Sequence, residues 1–186
     1  MSPEISSQLT ILTDPAQDAP TPGGVYLLRI QIAEPLSVVF GRFRKGAVIS
    51  LSAGEYVYVG SALVGLGRRL LRHATRLDGS AHPVRPVLVD HFGLTPPSAK
   101  RLRWHVDYLL DRPEASLTHI VAIKTERPIE SSIAGWLMAH PDTWIPATGL
   151  GASDDKGHTH LLGVAFGSSL WQELGVGDWE SGRVGE

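Results

Sequence analysis

Apolar positions recur at two different periods along the chain, and the change of period marks its elements. In GGVYLLRIQI (residues 23–32), alternate residues Tyr26, Leu28, Ile30 and Ile32 share one face of a predicted strand. LSVVFGRF (36–43) is apolar and β-branched, and Arg44-Lys45-Gly46 follows as a turn. This segment is expected to pair with the first strand as a hairpin, extended by AVISLS (47–52). GEYVYVGSA (54–62) alternates again: Tyr56 and Tyr58 point to one face, Val57 and Val59 to the other, and Gly60 is expected to end the strand.

The period then becomes helical. GLGRRLLRHATRL (65–77) carries an apolar stripe of Leu66, Leu70, Ala74 and Leu77. Arg69, Arg72, His73 and Arg76 form a second, cationic stripe at i, i+3, i+4 and i+7. Residues 78–99 break the pattern with prolines and predict a surface insertion, with one short ordered piece at VLVDHF. Further elements are predicted as a helix at 100–110, a strand at 116–125, a helix at 128–140 opened by Pro128, and a strand at 159–166.

These elements sum to an α/β (α+β) fold, a small, mostly antiparallel sheet flanked by helices. The 186 residues and 42% hydrophobic content fit one domain. Residues 1–22 predict a flexible lead-in with at most one short strand at QLTILT, 23–166 the domain, and 167–186 a loosely packed, Gly-rich tail. The amino-terminal stretch has neither a positive start nor a long apolar run, which predicts a soluble, cytoplasmic protein without signal peptide or membrane span.

Composition narrows the chemistry. The formal net charge is -2, so any polyanion site must be local. The absence of cysteine excludes a disulfide framework, a thiolate metal site and a cysteine nucleophile. His158 and His160 lie at i and i+2, and with Asp154 or Asp155 they read equally as zinc ligands or as a polar turn.

The ordered set GVY at Tyr26, YVYVGSA at 56–62, RRLLRH at 68–73, WHVDYL at 104–109, Glu130 and SDDKGHTHL at 153–161 resembles the GIY-YIG nuclease superfamily. It is most similar to an uncharacterised branch sometimes fused to endonuclease III. The resemblance spans roughly residues 23–166. It implies a divalent-metal-dependent endonuclease hydrolysing DNA, with RNA as a further substrate candidate and Mg²⁺ or Mn²⁺ as cofactor.

The resemblance also implies roles. Glu130 would hold the metal, and one carboxylate suffices for an ion that keeps its waters. Tyr26 would be or assist the general base, and Tyr58 would orient the water. Such a base requires nearby cations to lower a phenol pKa of about 10. Arg69 would bind phosphate through its guanidinium fork, and His73 would contact phosphate or move a proton. Arg68, Arg72 and Arg76 would steer the nucleic-acid backbone. His105, Asp107, Ser153, Asp154 and His160 are candidates for supporting these groups from behind.

Each residue has a plainer reading. The tyrosines suit a packed strand, the arginines a solvated helix face, and Glu130 a helix start. Trp104 and Tyr108 read as core. Many GIY-YIG nucleases use a late asparagine, and this chain has none. A catalytically inactive nucleic-acid-binding domain is therefore the alternative, followed by a module that binds a protein partner.

Overall fold

The computed structural model describes residues 7–16, 21–152, 155 and 157–176. In chain order the elements are β1 (Gln8–Thr13), β2 (Gly24–Ile32), β3 (Leu36–Val39), β4 (Val48–Leu51) and β5 (Gly54–Ala62). There follow α1 (Leu66–His73), α2 (Arg85–Phe92), α3 (His105–Leu110), β6 (Ala115–Lys124) and α4 (Glu130–Ala139). The described chain closes with β7 (Thr143–Trp144), β8 (Leu161–Val164) and α5 (Leu170–Val176).

A six-stranded sheet runs in the order β1-β6-β2-β5-β8-β7. Among the described residues only the β1–β6 pair is parallel; β2 pairs antiparallel with both β5 and β6. The fold is therefore the mixed α/β architecture that periodicity predicts. Strand β2 is buried on both faces, which explains its nearly continuous apolar run. Tyr26, Leu28, Tyr56 and Tyr58 face one core, shared with Leu70 of α1, Leu88 of α2 and Leu109 of α3. Leu27, Val57 and Val59 face the other, with Ile133 and Leu137 of α4 and Leu170 and Leu174 of α5.

Five expectations change. Strand β3 pairs with β4, as a separate two-stranded sheet, and not with β2. The reason is that β5 and β6 already occupy both edges of β2. The predicted turn is present, with Arg44 (φ 46°) and Lys45 (φ 60°) both in the left-handed region. QLTILT, placed in the lead-in, is a strand of the central sheet, and the Arg127 guanidinium reaches Asp14 Oδ1 at 2.7 Å to fasten its end.

Helix α1 ends at His73, not at residue 77, because the chain turns there into an isolated bridge between Thr75 and Ala81. The Pro-rich insertion holds a complete helix, α2, whose Pro86 lies in the first turn and whose Gly93 (φ 60°) stops it. Residues 170–176, placed in the tail, form α5, and its Leu170 and Leu174 are fully buried. Among the described residues no helix is long and apolar enough to cross a membrane.

Candidate functional site

The site begins with a close approach of two strands. Tyr26 of β2 lies opposite Gly60 of β5 in the antiparallel register. A Cβ at Gly60 would stand 2.7 Å from the Tyr26 hydroxyl oxygen and 2.8 Å from its Cζ. Gly60 thus does not end β5; its missing side chain is the space that the Tyr26 ring fills.

The Tyr26 hydroxyl lies 2.9 Å from His73 Nε2 on α1, and His73 Nδ1 lies 3.2 Å from Asp107 Oδ1 on α3. All three residues are buried. Burial pushes the Asp107 carboxyl up, but hydrogen bonding and charge from His73, Lys100 and Arg72 prevail and hold it well below the usual range. An ionised carboxylate only accepts, so His73 Nδ1 carries the proton and Nε2 accepts from the Tyr26 hydroxyl. Burial holds the His73 pKa down, against the Asp107 charge, and keeps the imidazole neutral. The result is a buried Tyr–His–Asp hydrogen-bond chain.

Asp107 is its anchor. Its Oδ2 accepts from Arg72 Nη1 at 2.8 Å and from the backbone N–H groups of Arg103 and Trp104 at 2.9 and 3.0 Å. Lys100 Nζ stands 3.6 Å from Oδ1. The Trp104 ring is a platform for the Arg69 and Arg72 guanidinia, centred 3.8 and 4.4 Å from its centroid. Trp104 is therefore half-buried and part of the site's wall, not only core.

The second half comes from the other sheet face. Glu130, the first residue of α4, accepts a hydrogen bond from Ser61 Oγ of β5, and its Oε1 lies 3.2 Å from His160 Nδ1. Burial raises the Glu130 pKa, but hydrogen bonds with His160 and Ser61 outweigh it and leave the carboxyl ionised. His160 Nε2 is 3.7 Å from Asp155 Oδ2, while Asp155 binds Ser131 Oγ at 2.5 Å and His158 Nδ1 at 2.8 Å. Gly151 (φ +90°) makes room behind: a Cβ there would stand 2.9 Å from His160 Cβ and 3.1 Å from Tyr58 Cε2.

The structure brings Tyr26, Tyr58, Arg69, His73, Asp107, Glu130 and His160 to one end of β2 and β5. The charges of Arg69, Glu130 and Asp107 all act on both phenols. The expected lowering of the phenol pKa is reversed. Burial raises both, and Arg69 opposes it only in part. Arg69, whose Nη1 lies 3.4 Å from the Ser61 carbonyl, and Glu130 stay half-buried and form the accessible rim.

Other predicted residues lie elsewhere. Arg76 is beyond α1 and donates to the carbonyls of Leu110, Arg112 and Ala115 at 2.7–2.8 Å. It closes the end of α3 rather than presenting a free cation. Arg72 is committed to Asp107 and the Arg101 carbonyl. Arg68 is exposed. His105 Nδ1 accepts the Gly151 N–H at 3.1 Å, holding Gly151 against Tyr58 and His160. Ser153 and Asp154 lie outside the described residues.

Two contributors escape sequence reasoning: Ser61, whose face with Val57 and Val59 was a usable signal, and Lys100, which lies in irregular chain and had none. Among the described residues, no group of three or more His, Asp or Glu side chains is arranged to hold a metal ion. Zinc at Asp155, His158 and His160 is thereby unsupported. A lone ionised carboxylate at Glu130 fits a hard, water-keeping cation such as Mg²⁺ or Mn²⁺.

No curated protein and no solved structure matches the chain at a significant level. A family model described as Domain of unknown function DUF123 matches residues 25–174, spanning the described elements from β2 into α5. DUF123 is not the GIY-YIG family, so the resemblance drawn from the tyrosine motifs is corrected: the shared residues mark a different family. The chain belongs to the DUF123 family.

Proposed function

We propose that this chain is a divalent-metal-dependent endonuclease that hydrolyses phosphodiester bonds, with DNA as the first substrate and RNA as the second. The observation that carries this reading is the convergence of a half-exposed guanidinium, Arg69, and a half-exposed ionised carboxylate, Glu130, over a buried proton chain from Tyr26 through His73 to Asp107. Arg69 binds two non-bridging phosphate oxygens and stays charged throughout. Glu130 would hold the Mg²⁺ or Mn²⁺ ion, which supplies charge neutralisation at the phosphate.

A water oxygen bonds to phosphorus and the bridging ester bond breaks. As the water gives its proton to the Tyr26 oxygen, the phenol proton moves to His73 Nε2, and the leaving oxygen takes a proton from solvent. Asp107 stabilises the imidazolium that forms, and Tyr58 orients the water. A cytoplasmic location, with nucleic acid at hand, accords with this reading.

A cleavage assay on labelled DNA and RNA, linear and branched, with Mg²⁺, Mn²⁺ or chelator, tests it. Metal-dependent cutting is expected in wild type and absent in Glu130→Ala. Unchanged cutting in Glu130→Ala would overturn the assignment.

One observation favours a second reading. Tyr26 and Tyr58 are only 1% and 4% exposed and burial keeps both phenols neutral. A binding domain without hydrolysis would show salt-sensitive nucleic-acid affinity and no cutting with any metal.

A further inference from the structure

We propose that the groove between α1 and the segment after α2 binds the backbone of a single nucleic-acid strand leaving the Arg69 site, through its phosphates. The groove has a volume of about 730 Å³, enough for a nucleotide unit. Helix α1 contributes Arg68 and the Asp107-paired Arg72, the facing segment contributes Lys100 and Arg101, and aliphatic Leu94 and Pro97 share the lining. No acidic side chain lines it. Cations interleaved with apolar side chains suit a strand whose phosphates meet the former and whose unpaired bases pack on the latter. A stacked duplex offers no base faces to such a lining.

Lys100 carries the assignment beyond surface charge. Its side chain is 1% exposed, and its ammonium has no hydrogen-bond partner, standing 3.6 Å from Asp107 Oδ1. A buried ammonium without a hydrogen bond is costly. Asp107 balances its charge, and a phosphate oxygen entering the groove supplies an acceptor within hydrogen-bond reach. The groove also adjoins the site: Arg69 and Arg72, one turn apart on α1, share the Trp104 platform. A strand held by Arg69 at one phosphate continues past Arg72 to Lys100 and Arg101.

The direction of the strand rests on the function proposed above, but the groove's affinity for phosphate does not. The experiment is therefore run in chelator, where no hydrolysis occurs. Binding of a fluorescent six-nucleotide single strand, its duplex and free AMP is measured by anisotropy and competition across a salt series. Wild type is compared with Arg68→Ala/Arg101→Ala, both exposed positions.

The expected result is tighter binding of the single strand than of duplex or AMP. The log–log salt slope should fall by about 1.4 in the double variant, about 0.7 for each lost cation. An unchanged affinity and slope in the double variant would overturn the groove. Equal affinity for AMP and the strand would overturn the strand assignment. Absence of wild-type cutting in the separate metal assay, with the slope change in chelator intact, would overturn the nuclease reading and support the groove.

Discussion

The Tyr26 hydroxyl donates to His73 Nε2 at 2.9 Å inside the core, with neither side chain more than 1% exposed. Such a contact is specific in both directions. His73 is fixed in one tautomer by Asp107, so its Nε2 needs a donor, and the buried phenol needs an acceptor. The pair is a packing element and, in the proposed mechanism, a path for a proton.

Tyr26→Phe separates these two roles. The ring still fills the space over Gly60, but His73 Nε2 loses its partner. Stability should fall by about 1–3 kcal/mol, measured by urea unfolding. Metal-dependent cleavage should fall at least about 100-fold, because the proton path is cut. Full activity in a folded Tyr26→Phe protein would remove Tyr26 from the chemistry.

Gly60→Ala tests the same contact from the opposite strand. The new methyl would stand 2.7 Å from the Tyr26 oxygen, well inside contact distance, and the phenol must move. A cost of about 1–3 kcal/mol is expected, together with loss of the His73 hydrogen bond. A crystal structure or NMR shift of the Tyr26 ring reads the displacement directly, and an unmoved ring would disprove the packing account.

What was legible in the sequence was local. Period-two alternation placed β2 and β5 with their faces, because side-chain direction in a strand depends only on neighbours; that β5 continues through Gly60 to Ala62 depends on the Tyr26 ring across from it. Tyr26 and Tyr58 were singled out by the family resemblance, since alternation alone reads them as packed strand tyrosines. Asp107 was legible only as a supporting candidate, since its meeting with His73 joins positions 34 residues apart. The β3–β4 pairing failed as a prediction because competition for the edges of β2 is a property of the whole sheet. Arg76 failed because the helix stops one turn early, and its side chain then turns inward.

Arg76 accordingly behaves as a structural cation. Arg76→Ala strips a charged donor from the Leu110, Arg112 and Ala115 carbonyls where α3 runs into β6. A loss of about 2–3 kcal/mol is expected on unfolding. The salt slope of nucleic-acid binding should stay at its wild-type value. A slope reduced by about 0.7 would return Arg76 to the phosphate-binding set.

His82 gives the fold a pH dependence that can be signed. It is fully buried, its Nδ1 accepting the Leu117 N–H at 3.1 Å and its Nε2 lying 2.8 Å from the Leu110 carbonyl. Burial, with the Arg76 charge acting in the same sense, lowers its pKa to about 3. The unfolded histidine takes up its proton near pH 6.5, so between these values the unfolded state binds more protons. The stability that His82 confers is complete above about pH 6.5 and is lost progressively as the pH falls toward about 3. At pH 5 the loss from this residue is about 2 kcal/mol relative to pH 7. The buried Asp107 and Asp14 carboxylates, both held below their ordinary values, add their losses only at lower pH. Urea unfolding of wild type and His82→Gln at pH 5 and 7 isolates the histidine: the glutamine variant should lose about 2 kcal/mol less between the two pH values. An identical pH dependence in both proteins would show that His82 is not the group being titrated.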